Sequence, residues 1–287
     1  MKIGIIGKGF VGAAVEYGFT KNFNKDVEIK IYDKDENKST HSHSDVVNNT
    51  DFVFISLPTP SFENGDINLE IIDGALNQIN KISENSETIF LIRSTIIPGS
   101  TRFFQNKYKN IRLVFNPEFL TERNANQDFI NQERFVIGGE KDNVAQVANL
   151  FQWRFGNQIP IIKTNFETAE LIKYMNNTFL ATKVSFLNEM RILSDDCGAN
   201  WEEAIKGFSL DSRVGNSHMN VPGFDGEYGF GGSCFPKDIQ AIINYGNSIG
   251  VDLRVLKAAW ETNLFVRPEK DWEKLEGRAI TKKEDKS

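Results

Sequence analysis

The sequence predicts an α/β fold in which a doubly wound parallel sheet is followed by an all-α region built on one long helix. The first half alternates short β-rich apolar runs with longer amphipathic stretches, which is typical of a parallel sheet covered by helices. A glycine-rich turn directly follows the first of these runs. From Phe166 the pattern changes to one apolar stripe at helical spacing, which ends near Cys197.

Seven short apolar runs in the first half are predicted to be strands. They cover residues 2–6, 27–32, 52–56, 88–92, 112–115, 135–137 and 159–162. Amphipathic patterns between them, such as 69–82 and 143–151, predict the covering helices. We therefore expect residues 1–165 to form the doubly wound domain.

The stripe from Phe166 to Cys197 contains no Gly or Pro, so it predicts a single helix of about 30 residues. The usual helix in globular proteins has about 12 residues. A helix this long can lie in a core, but it more often joins two domains or forms a dimer seam. We expect residues 166–268 to form a helical central domain. The remaining residues, 269–287, are expected to be a charged tail that is solvated or frayed.

Composition argues against several classes of function. The chain of 287 residues has a net charge of −6, so attraction to nucleic acid or an anionic membrane is not expected. It has neither a long apolar run nor a signal-peptide pattern, and a cytoplasmic protein is expected. Cys197 and Cys234 lie far apart in sequence, so reduced thiols are expected. We interpret Cys197 as a buried, inert thiol of the long helix.

The glycine-rich turn is Gly7-Lys8-Gly9-Phe10-Val11-Gly12, a G-x-G-x-x-G pattern between the first strand and the first helix. Gly7 permits the tight turn, Gly9 leaves space for a pyrophosphate, and Gly12 lets helix and strand pack closely. The helix N-terminus, at Phe10 and Val11, supplies N–H groups to the phosphates. The hexapeptide by itself is weak evidence, because glycine-rich loops are common.

Asp33 strengthens this interpretation, because it closes the second strand 21 residues beyond Gly12. A carboxylate there can accept both ribose hydroxyls and would repel a 2′-phosphate, so NAD is expected rather than NADP. The alternative is that Asp33 is an ordinary turn residue at a strand end. With Asp33 as the ribose ligand, residues 1–165 would be a Rossmann-type, NAD-binding domain.

Polar residues also follow three later strands, at the edge where open α/β sheets bind ligands. Ser56-Leu57-Pro58-Thr59-Pro60 and Arg93-Ser94-Thr95-Ile96-Ile97-Pro98-Gly99 offer hydroxyls that can contact a nicotinamide ribose or position a water. Ordinary turn chemistry explains them equally well. Asn116-Pro117-Glu118-Phe119-Leu120 adds a carboxylate, and Glu118 is a candidate acid or base. Glu122 is a second candidate.

The second half contains two further candidate groups. Lys173 and Asn177 lie one helical turn apart, with Glu170 a turn earlier, although a lysine on a helix is usually a solvated charge. Cys234 lies in Gly231-Gly232-Ser233-Cys234-Phe235-Pro236-Lys237-Asp238, just before a helix predicted to begin near Pro236, where the helix dipole favours a thiolate. A buried, inert cysteine is the alternative. A thiolate in a site with NAD indicates covalent trapping of an aldehyde.

Taken together, these segments resemble the UDP-glucose/GDP-mannose dehydrogenase family. The Phe-Gly-Gly-Ser-Cys-Phe-Pro-Lys-Asp stretch at residues 230–238 is the most specific of them. The resemblance extends over about residues 1–265 through residues 7–12, 57–60, 94–99, 116–120, 169–177, 188–189 and 230–238.

The resemblance implies a four-electron oxidation of a nucleotide-sugar C6 alcohol to the uronate with two NAD, the substrate being of the UDP-glucose or GDP-mannose type. Cys234 would add to the aldehyde, and water would hydrolyse the later thioester. Lys173 and Asn177 would stabilise the oxyanion. Asp238, with Glu118 and Thr95, would position and activate water, and Lys173 or Asp238 could be the first base.

The resemblance also implies binding residues and a partner. The cofactor would be contacted by Pro58, Thr59, Ser94, Thr95 and Glu122 as well as by the glycine-rich turn and Asp33. The substrate would be contacted by Lys173, Asn177, Arg213, Gly231 and Lys237. Arg213 would reach across a homodimer formed through the central helices. No metal is expected.

The sequence departs from the family pattern at its end, since it stops about 20 residues after Arg267, where relatives usually continue into a second α/β domain that grips the nucleotide. Arg123 replaces the more usual Gly, and Ser100 stands where Thr is common. Two functions stay open. The chain is either a minimal enzyme that binds its nucleotide sugar weakly or borrows a partner's surface, or a truncated NAD-binding protein without turnover that dimerises or senses NAD.

Overall fold

The computed structural model describes residues 1–20 and 26–281, which form two compact units. The first unit consists of Met1–Thr59 and Leu69–Lys173, and the second begins with Pro60–Asn68 and resumes at Tyr174. The sequence placed one boundary near residue 165, whereas the division lies inside the long helix. A helix that is amphipathic throughout shows no change of composition at such a point.

The first unit contains a seven-stranded sheet in the order β2-β1-β3-β4-β5-β6-β7. The strands are β1 Lys2–Ile6, β2 Glu28–Tyr32, β3 Phe52–Ile55, β4 Ile89–Ile92, β5 Arg112–Phe115, β6 Phe135–Gly139 and β7 Ile161–Thr164. Each predicted strand is found, with ends that shift by at most two residues. The doubly wound α/β fold class is therefore confirmed.

One prediction about the sheet is wrong, because β6 runs antiparallel to β5, with Val114 opposite Gly139 and Phe115 opposite Gly138. The pairs β1–β2, β1–β3, β3–β4, β4–β5 and β6–β7 are parallel. A strand buried on both faces has the same apolar run in either direction, so the sequence pattern does not show its direction.

The helices of the first unit cover both faces of this sheet. They are α1 Phe10–Thr20, α2 His43–Asn48, α3 Glu70–Ile82, α4 Ser100–Lys107, α5 Ala125–Ile130, α6 Lys141–Phe155 and the start of α7 Phe166–Cys197. Successive residues of β3 belong to different cores: Phe54 packs with Phe19 and Phe151 on one face, and Ile55 with Leu76 on the other. This alternation follows from the two-residue period of a strand.

The long helix α7 has the predicted bounds, with 32 residues from Phe166 to Cys197. The other helices of the second unit are α8 Trp201–Ser209, α9 Phe235–Ser248 and α10 Arg254–Val266. Phe230, Ile239 and Ala259 form part of one core of this unit, and Trp201 and Met219 form part of another. No helix in the described ranges is long and apolar enough to cross a membrane.

The prediction of a solvated or frayed tail is wrong as far as residue 281, because this segment packs against other residues of the second unit. Trp272 is buried, and its ring centroid lies 5.3 Å from that of Trp260. Ser61 donates its N–H to the carbonyl of Ala279 at 2.9 Å and accepts one from Thr281 at 2.8 Å. These apolar and backbone contacts anchor a segment that its charges alone would leave in solvent. Residues 282–287 of the predicted tail lie outside the described residues.

The prediction that Cys197 is buried is also wrong, because this residue is exposed. It is the last residue of α7, and most residues around it in the final turns are exposed. The helical spacing of the apolar residues continues to Cys197, but Leu193 on that stripe is itself exposed. The stripe therefore does not mark a buried face at this end of the helix.

Candidate active site

The glycine-rich turn of the first unit joins β1 to α1, as its spacing requires. Gly7 has φ +90°, and a Cβ at this position would lie 2.5 Å from the carbonyl oxygen of Ser56. A Cβ on Gly12 would lie 2.1 Å from the carbonyl oxygen of Gly7. A Cβ on Gly9 would meet no protein atom within 4 Å, so packing does not account for this glycine. The turn thus has room for an external group beside the N-terminus of α1.

Asp33 lies directly after β2, and its carboxylate contacts the glycine-rich turn. Its Oδ2 accepts the Lys8 N–H at 2.6 Å, and its Oδ1 accepts the Asp35 N–H at 2.9 Å. Strand β1 lies between β2 and β3, so the strand order reverses between β1 and β3. Open α/β sheets bind ligands at such a point. Two backbone N–H groups thus fix the orientation of this carboxylate beside the glycine-rich turn.

The polar loops after β3 and β4 are joined by their own hydroxyls. Thr59 Oγ1 donates to the Thr95 carbonyl at 2.9 Å, and Ser94 Oγ donates to the Leu57 carbonyl at 2.6 Å. Thr59, Ser94 and Thr95 are buried, whereas Pro58 is exposed. The hydroxyl protons of Thr59 and Ser94 therefore hold the two loops together, as the alternative of ordinary turn chemistry predicts. Each hydroxyl oxygen retains acceptor capacity toward a ligand.

Lys173 and Glu118 form a buried pair in the first unit. Lys173 is 3% exposed, so the usual interpretation as a solvated lysine is wrong. Its Nζ donates to the Glu118 carbonyl at 2.6 Å and to Glu118 Oε1 at 3.0 Å. Glu118 Oε2 accepts the Leu120 N–H at 2.6 Å. The pair holds an ammonium group in a buried position, where electrostatic interactions are stronger than in water.

Glu122 lies apart from that pair, in the turn before α5, and is exposed. With Phe10, Ala13 and the residues that follow it, Glu122 lines a cavity of 430 Å³. Phe10 is the first residue of α1, next to the glycine-rich turn. The cavity therefore places Glu122 on the same side of the unit as the start of α1.

A buried cation in the first unit was not assigned from the sequence. Arg93, directly after β4, is buried and donates through Nη1 to Asn116 Oδ1. Its guanidinium lies 5.4 Å from the ring centroid of Phe129. Burial lowers the pKa of Arg93 to about 10, and the charge of Glu118 acts in the opposite direction. The sequence does carry a signal for this buried cation, which is a charged arginine directly after an apolar strand.

Glu170 is a second group whose role was missed. It is fully buried, and its Oε2 accepts the Gly99 N–H at 2.6 Å. Its Oε1 accepts the N–H and the hydroxyl of Thr101, at 2.8 and 2.6 Å. Burial raises the pKa of Glu170 from 4.5 to about 7. This carboxylate satisfies N-terminal donors of α4 and fixes the end of the loop after β4.

In the second unit, Cys234 stands at the N-cap of α9, and its side chain is half-buried. Helix α9 begins at Phe235, within one residue of the predicted start. The Asp238 N–H donates to the Cys234 carbonyl at 2.9 Å, which closes the first turn. A thiol at this end of a helix lies where the helix dipole favours negative charge.

Asp238 lies one turn into α9 between two polar partners. Its Oδ2 accepts Asn177 Nδ2 at 2.6 Å, and its Oδ1 accepts the Nζ of Lys237. Asp238 is 1% exposed, and Asn177 and Lys237 are also buried. The sequence assigned all three to one site, and the structure brings them together. A buried carboxylate with these partners can orient a water or accept a proton.

The backbone before Cys234 is fixed by two asparagines. Asn188 Oδ1 accepts the Gly229 N–H at 2.9 Å, and Asn263 bonds both the N–H and the carbonyl of Phe230, at 2.7 and 3.0 Å. The sequence did not single out Asn263.

Arg213, which the sequence assigned to the substrate, lies on the surface, with its guanidinium paired with Asp211.

Residues 30–153 match the NAD binding domain of the UDP-glucose/GDP-mannose dehydrogenase family, and residues 167–264 match its central domain. UDP-glucose 6-dehydrogenase of Rickettsia typhi is 32% identical over 92% of this chain and 67% of its own length. The chain belongs to the UDP-glucose/GDP-mannose dehydrogenase family. NAD is therefore its cofactor, and the resemblance seen in the sequence is confirmed.

Other relatives agree with this assignment. UDP-glucose 6-dehydrogenase TuaD of Bacillus subtilis is 34% identical over 75% of this chain and 46% of its own length. The structure of a UDP-glucose dehydrogenase from Pyrobaculum islandicum superposes with a TM-score of 0.79 at 25% identity, covering 92% of this chain and 68% of that one. A GDP-mannose dehydrogenase from Pseudomonas aeruginosa gives 0.65 at 25% identity, covering 96% and 71%. Family membership supports NAD-dependent dehydrogenase chemistry on a nucleotide sugar.

Proposed function

We propose that the chain oxidises the C6 alcohol of a nucleotide sugar to the uronate through covalent intermediates on Cys234. The observation that carries the proposal is the position of this thiol. Cys234 caps α9 one turn before Asp238, which is buried against Asn177 and Lys237. A nucleophile next to a fixed acid–base group is the arrangement that covalent catalysis requires.

NAD supplies a hydride acceptor in each of the two oxidation steps. Between them, the Cys234 sulfur adds to the aldehyde carbon, and the resulting alkoxide takes up a proton to give a thiohemiacetal. Oxidation of that adduct gives a thioester, and attack by water breaks the C–S bond. Uronate leaves, and the thiol of Cys234 is regenerated. No free aldehyde is released, because the sulfur adds to the aldehyde within the site and stays bonded to the carbon until water hydrolyses the thioester.

Lys173 and Asn177 are the proposed donors to the oxygen on the reacting carbon. The ammonium of Lys173 is fixed by Glu118, and the amide of Asn177 by Asp238, so neither group needs to reorganise during the reaction. Preorganised donors of this kind are usually the largest single contribution to catalysis. Asp238, with Glu118 and Thr95, is proposed to position and activate the water, and Lys173 or Asp238 to act as base in the first step.

The proposed cofactor contacts all lie in the first unit. Gly7, Gly9 and Gly12 with the N-terminus of α1 at Phe10 and Val11 would bind the pyrophosphate. Asp33 would accept the adenine ribose hydroxyls and disfavour NADP. The residues proposed to complete this site are Pro58, Thr59, Ser94, Thr95 and Glu122.

The proposed substrate is a UDP-glucose or GDP-mannose type nucleotide sugar, contacted by Lys173, Asn177, Gly231 and Lys237. The names of the relatives support this substrate class, since one is named for UDP-glucose and one for GDP-mannose. Arg213 is proposed to act on the substrate of a partner subunit. Its exposed guanidinium is compatible with that role.

A homodimer is proposed on the exposed apolar side chains of α7. Met175, Phe179, Phe186 and Leu193 are all exposed. At about 100° per residue they fall within about 40° of one another around the helix. Asn177 lies on the opposite face, so a partner could cover this stripe without covering the amide. We define these four residues as the α7 stripe.

The proposal is tested with the purified chain, NAD and a panel of nucleotide sugars. We expect two NADH to form per uronate, with uronate identified by mass spectrometry. Cys234→Ser should form no uronate while binding NAD as before, and Cys197→Ser, which changes the exposed thiol, is the matched control. Unchanged uronate from Cys234→Ser would refute the covalent role. NAD binding with no turnover on any nucleotide sugar would instead support an NAD-binding protein without catalysis.

A further inference from the structure

A buried ion pair lies against the backbone that leads to Cys234. Arg267, directly after α10, is 5% exposed. Its Nε donates to Asp271 Oδ1 at 2.7 Å, and its Nη2 donates to Asp225 Oδ2, also at 2.7 Å. Its Nη1 donates to the Tyr228 carbonyl at 3.2 Å. The guanidinium therefore joins the end of α10 to the segment before the cysteine.

The two glycines before Ser233 pack directly on this pair. Gly232 donates its N–H to Asp271 Oδ2 at 2.9 Å. A Cβ on Gly231 would lie 2.4 Å from Asp271 Oδ1 and 2.5 Å from Arg267 Nη2, which is well inside van der Waals contact. Gly231 thus lets the backbone approach the charges closely. A side chain there would push the backbone or the ion pair aside.

Three backbone N–H groups of this segment are each held by a different side chain. Asn188 and Asn263 bond Gly229 and Phe230, and Asp271 bonds Gly232. Asp271 holds the last of these backbone groups, two residues before Cys234. Since both oxygens of Asp271 are used, one by Arg267 and one by Gly232, the orientation of its carboxylate depends on the arginine.

We propose that Arg267 and Asp271 are positioning residues that set the backbone of Gly231 and Gly232, and thereby the placement of the Cys234 thiol at the N-terminus of α9. Neither residue is proposed to touch the substrate. This inference rests on the proposed function, because the position of the thiol matters for catalysis only if Cys234 is the nucleophile. A purely stabilising ion pair is the competing explanation.

Asp225 offers a matched control within the same network. It bonds the same guanidinium as Asp271 at the same distance, but its second carboxylate oxygen accepts the N–H of Glu227 and not that of Gly232. Asp225→Asn and Asp271→Asn therefore each remove one carboxylate charge from Arg267. Only Asp271→Asn also changes the acceptor of the Gly232 N–H.

The test measures the rate of Cys234 alkylation by iodoacetamide from pH 5 to 10 in a Cys197→Ser background of the full chain. We expect Asp271→Asn to slow alkylation near neutral pH by about tenfold, because helix-terminus effects on a thiolate depend on its position. Asp225→Asn should follow the parent profile, and Arg267→Lys should fall between the two. NAD affinity should not change in any variant.

Two results would overturn the positioning role. One is an Asp271→Asn profile that superposes on the parent, and the other is an equal change in Asp225→Asn. If Asp271→Asn does not fold, Asp271→Glu replaces it, since it keeps a charge for Arg267 but displaces the carboxylate from Gly232. The assay needs no turnover, so it is independent of the uronate measurement that tests the proposed function.

Discussion

Asn177 donates its side-chain amide to Asp238 at 2.6 Å, joining α7 to α9 beneath the cysteine cap of α9. The bond fixes the amide so that its oxygen cannot exchange places with its nitrogen, since only the nitrogen can donate to a carboxylate. The other oxygen of Asp238 is occupied by Lys237. Asn177 and Lys237 are therefore both held by the one carboxylate of Asp238.

Asp238→Asn should lower the rate of uronate formation by about 10²–10⁴-fold, which is the usual contribution of a general acid–base group. Hydrolysis of the thioester should suffer most, so a covalent adduct on Cys234 should accumulate. Intact-protein mass spectrometry after mixing with NAD and substrate would detect it. An unchanged steady-state rate would show that Asp238 does not activate the water, and unaltered NAD binding would show that the variant is folded.

Asp33→Ala should weaken NAD binding by about tenfold to a hundredfold, since hydrogen bonds to a charged group contribute about 1.5–3 kcal/mol. NADP should gain relative to NAD, because the carboxylate that repels a 2′-phosphate is removed. Titration calorimetry with both cofactors measures the ratio. Asp35→Ala is the control, because its carboxylate accepts from Asn37 in the next turn. An unaltered preference in Asp33→Ala would exclude Asp33 as the ribose ligand.

Glu170 should make stability depend on pH between about 5 and 8. Burial raises its pKa from 4.5 to about 7, so the folded state binds this proton more tightly than the unfolded state. The stabilising contribution of the protonated Glu170 to the folded state is therefore present below pH 4.5 and is lost as the pH rises through 7. The parent should lose about 2–3 kcal/mol of unfolding free energy relative to Glu170→Gln between pH 5 and 8.

Urea unfolding of both proteins across that pH range checks this prediction. Glu167→Gln is the control on the same helix, because Arg102 lowers the pKa of Glu167 and the sign of its effect is reversed. Parallel curves for the parent and Glu170→Gln would contradict the prediction.

Phe179→Asp should convert the proposed dimer to a monomer, because it places a charge in the α7 stripe. Central apolar residues of an interface often contribute 2 kcal/mol or more, so the dimer dissociation constant should rise by about thirtyfold or more. Light scattering over a concentration series measures it. Leu210→Asp, at an exposed apolar position outside the stripe, should have no effect. A parent chain that is monomeric throughout would rule out the dimer.

The features that the sequence predicted well are those with a continuous local pattern. Helix α7 was found with both ends as expected, because apolar residues recur without Gly or Pro from Phe166 to Cys197. The glycine-rich turn was equally clear, since Gly7 and Gly12 must each lie against backbone. Local pattern fails where tertiary contacts decide, as in the direction of β6.

The candidate site shows the same limit. Asn177, Lys237 and Asp238 were assigned to one site through the family resemblance, but the partners of Glu170 lie about 70 residues away in sequence, at Gly99 and Thr101. Charge was a poor guide beyond Glu269, because it obscured Trp272, the one large aromatic that anchors the segment. The exposure of Cys197 was also missed, since the spacing of apolar residues does not show whether another part of the protein covers that face of the helix.

Residues 60–68 lie between two elements of the first unit but belong to the second, where Ser61 bonds Ala279 and Thr281. Neither unit is therefore encoded by one uninterrupted stretch of gene. A chimaera that exchanged only the second half with a relative would leave a foreign segment beside Ala279. Successful recombination within this family should therefore transfer residues 60–68 and the second half together.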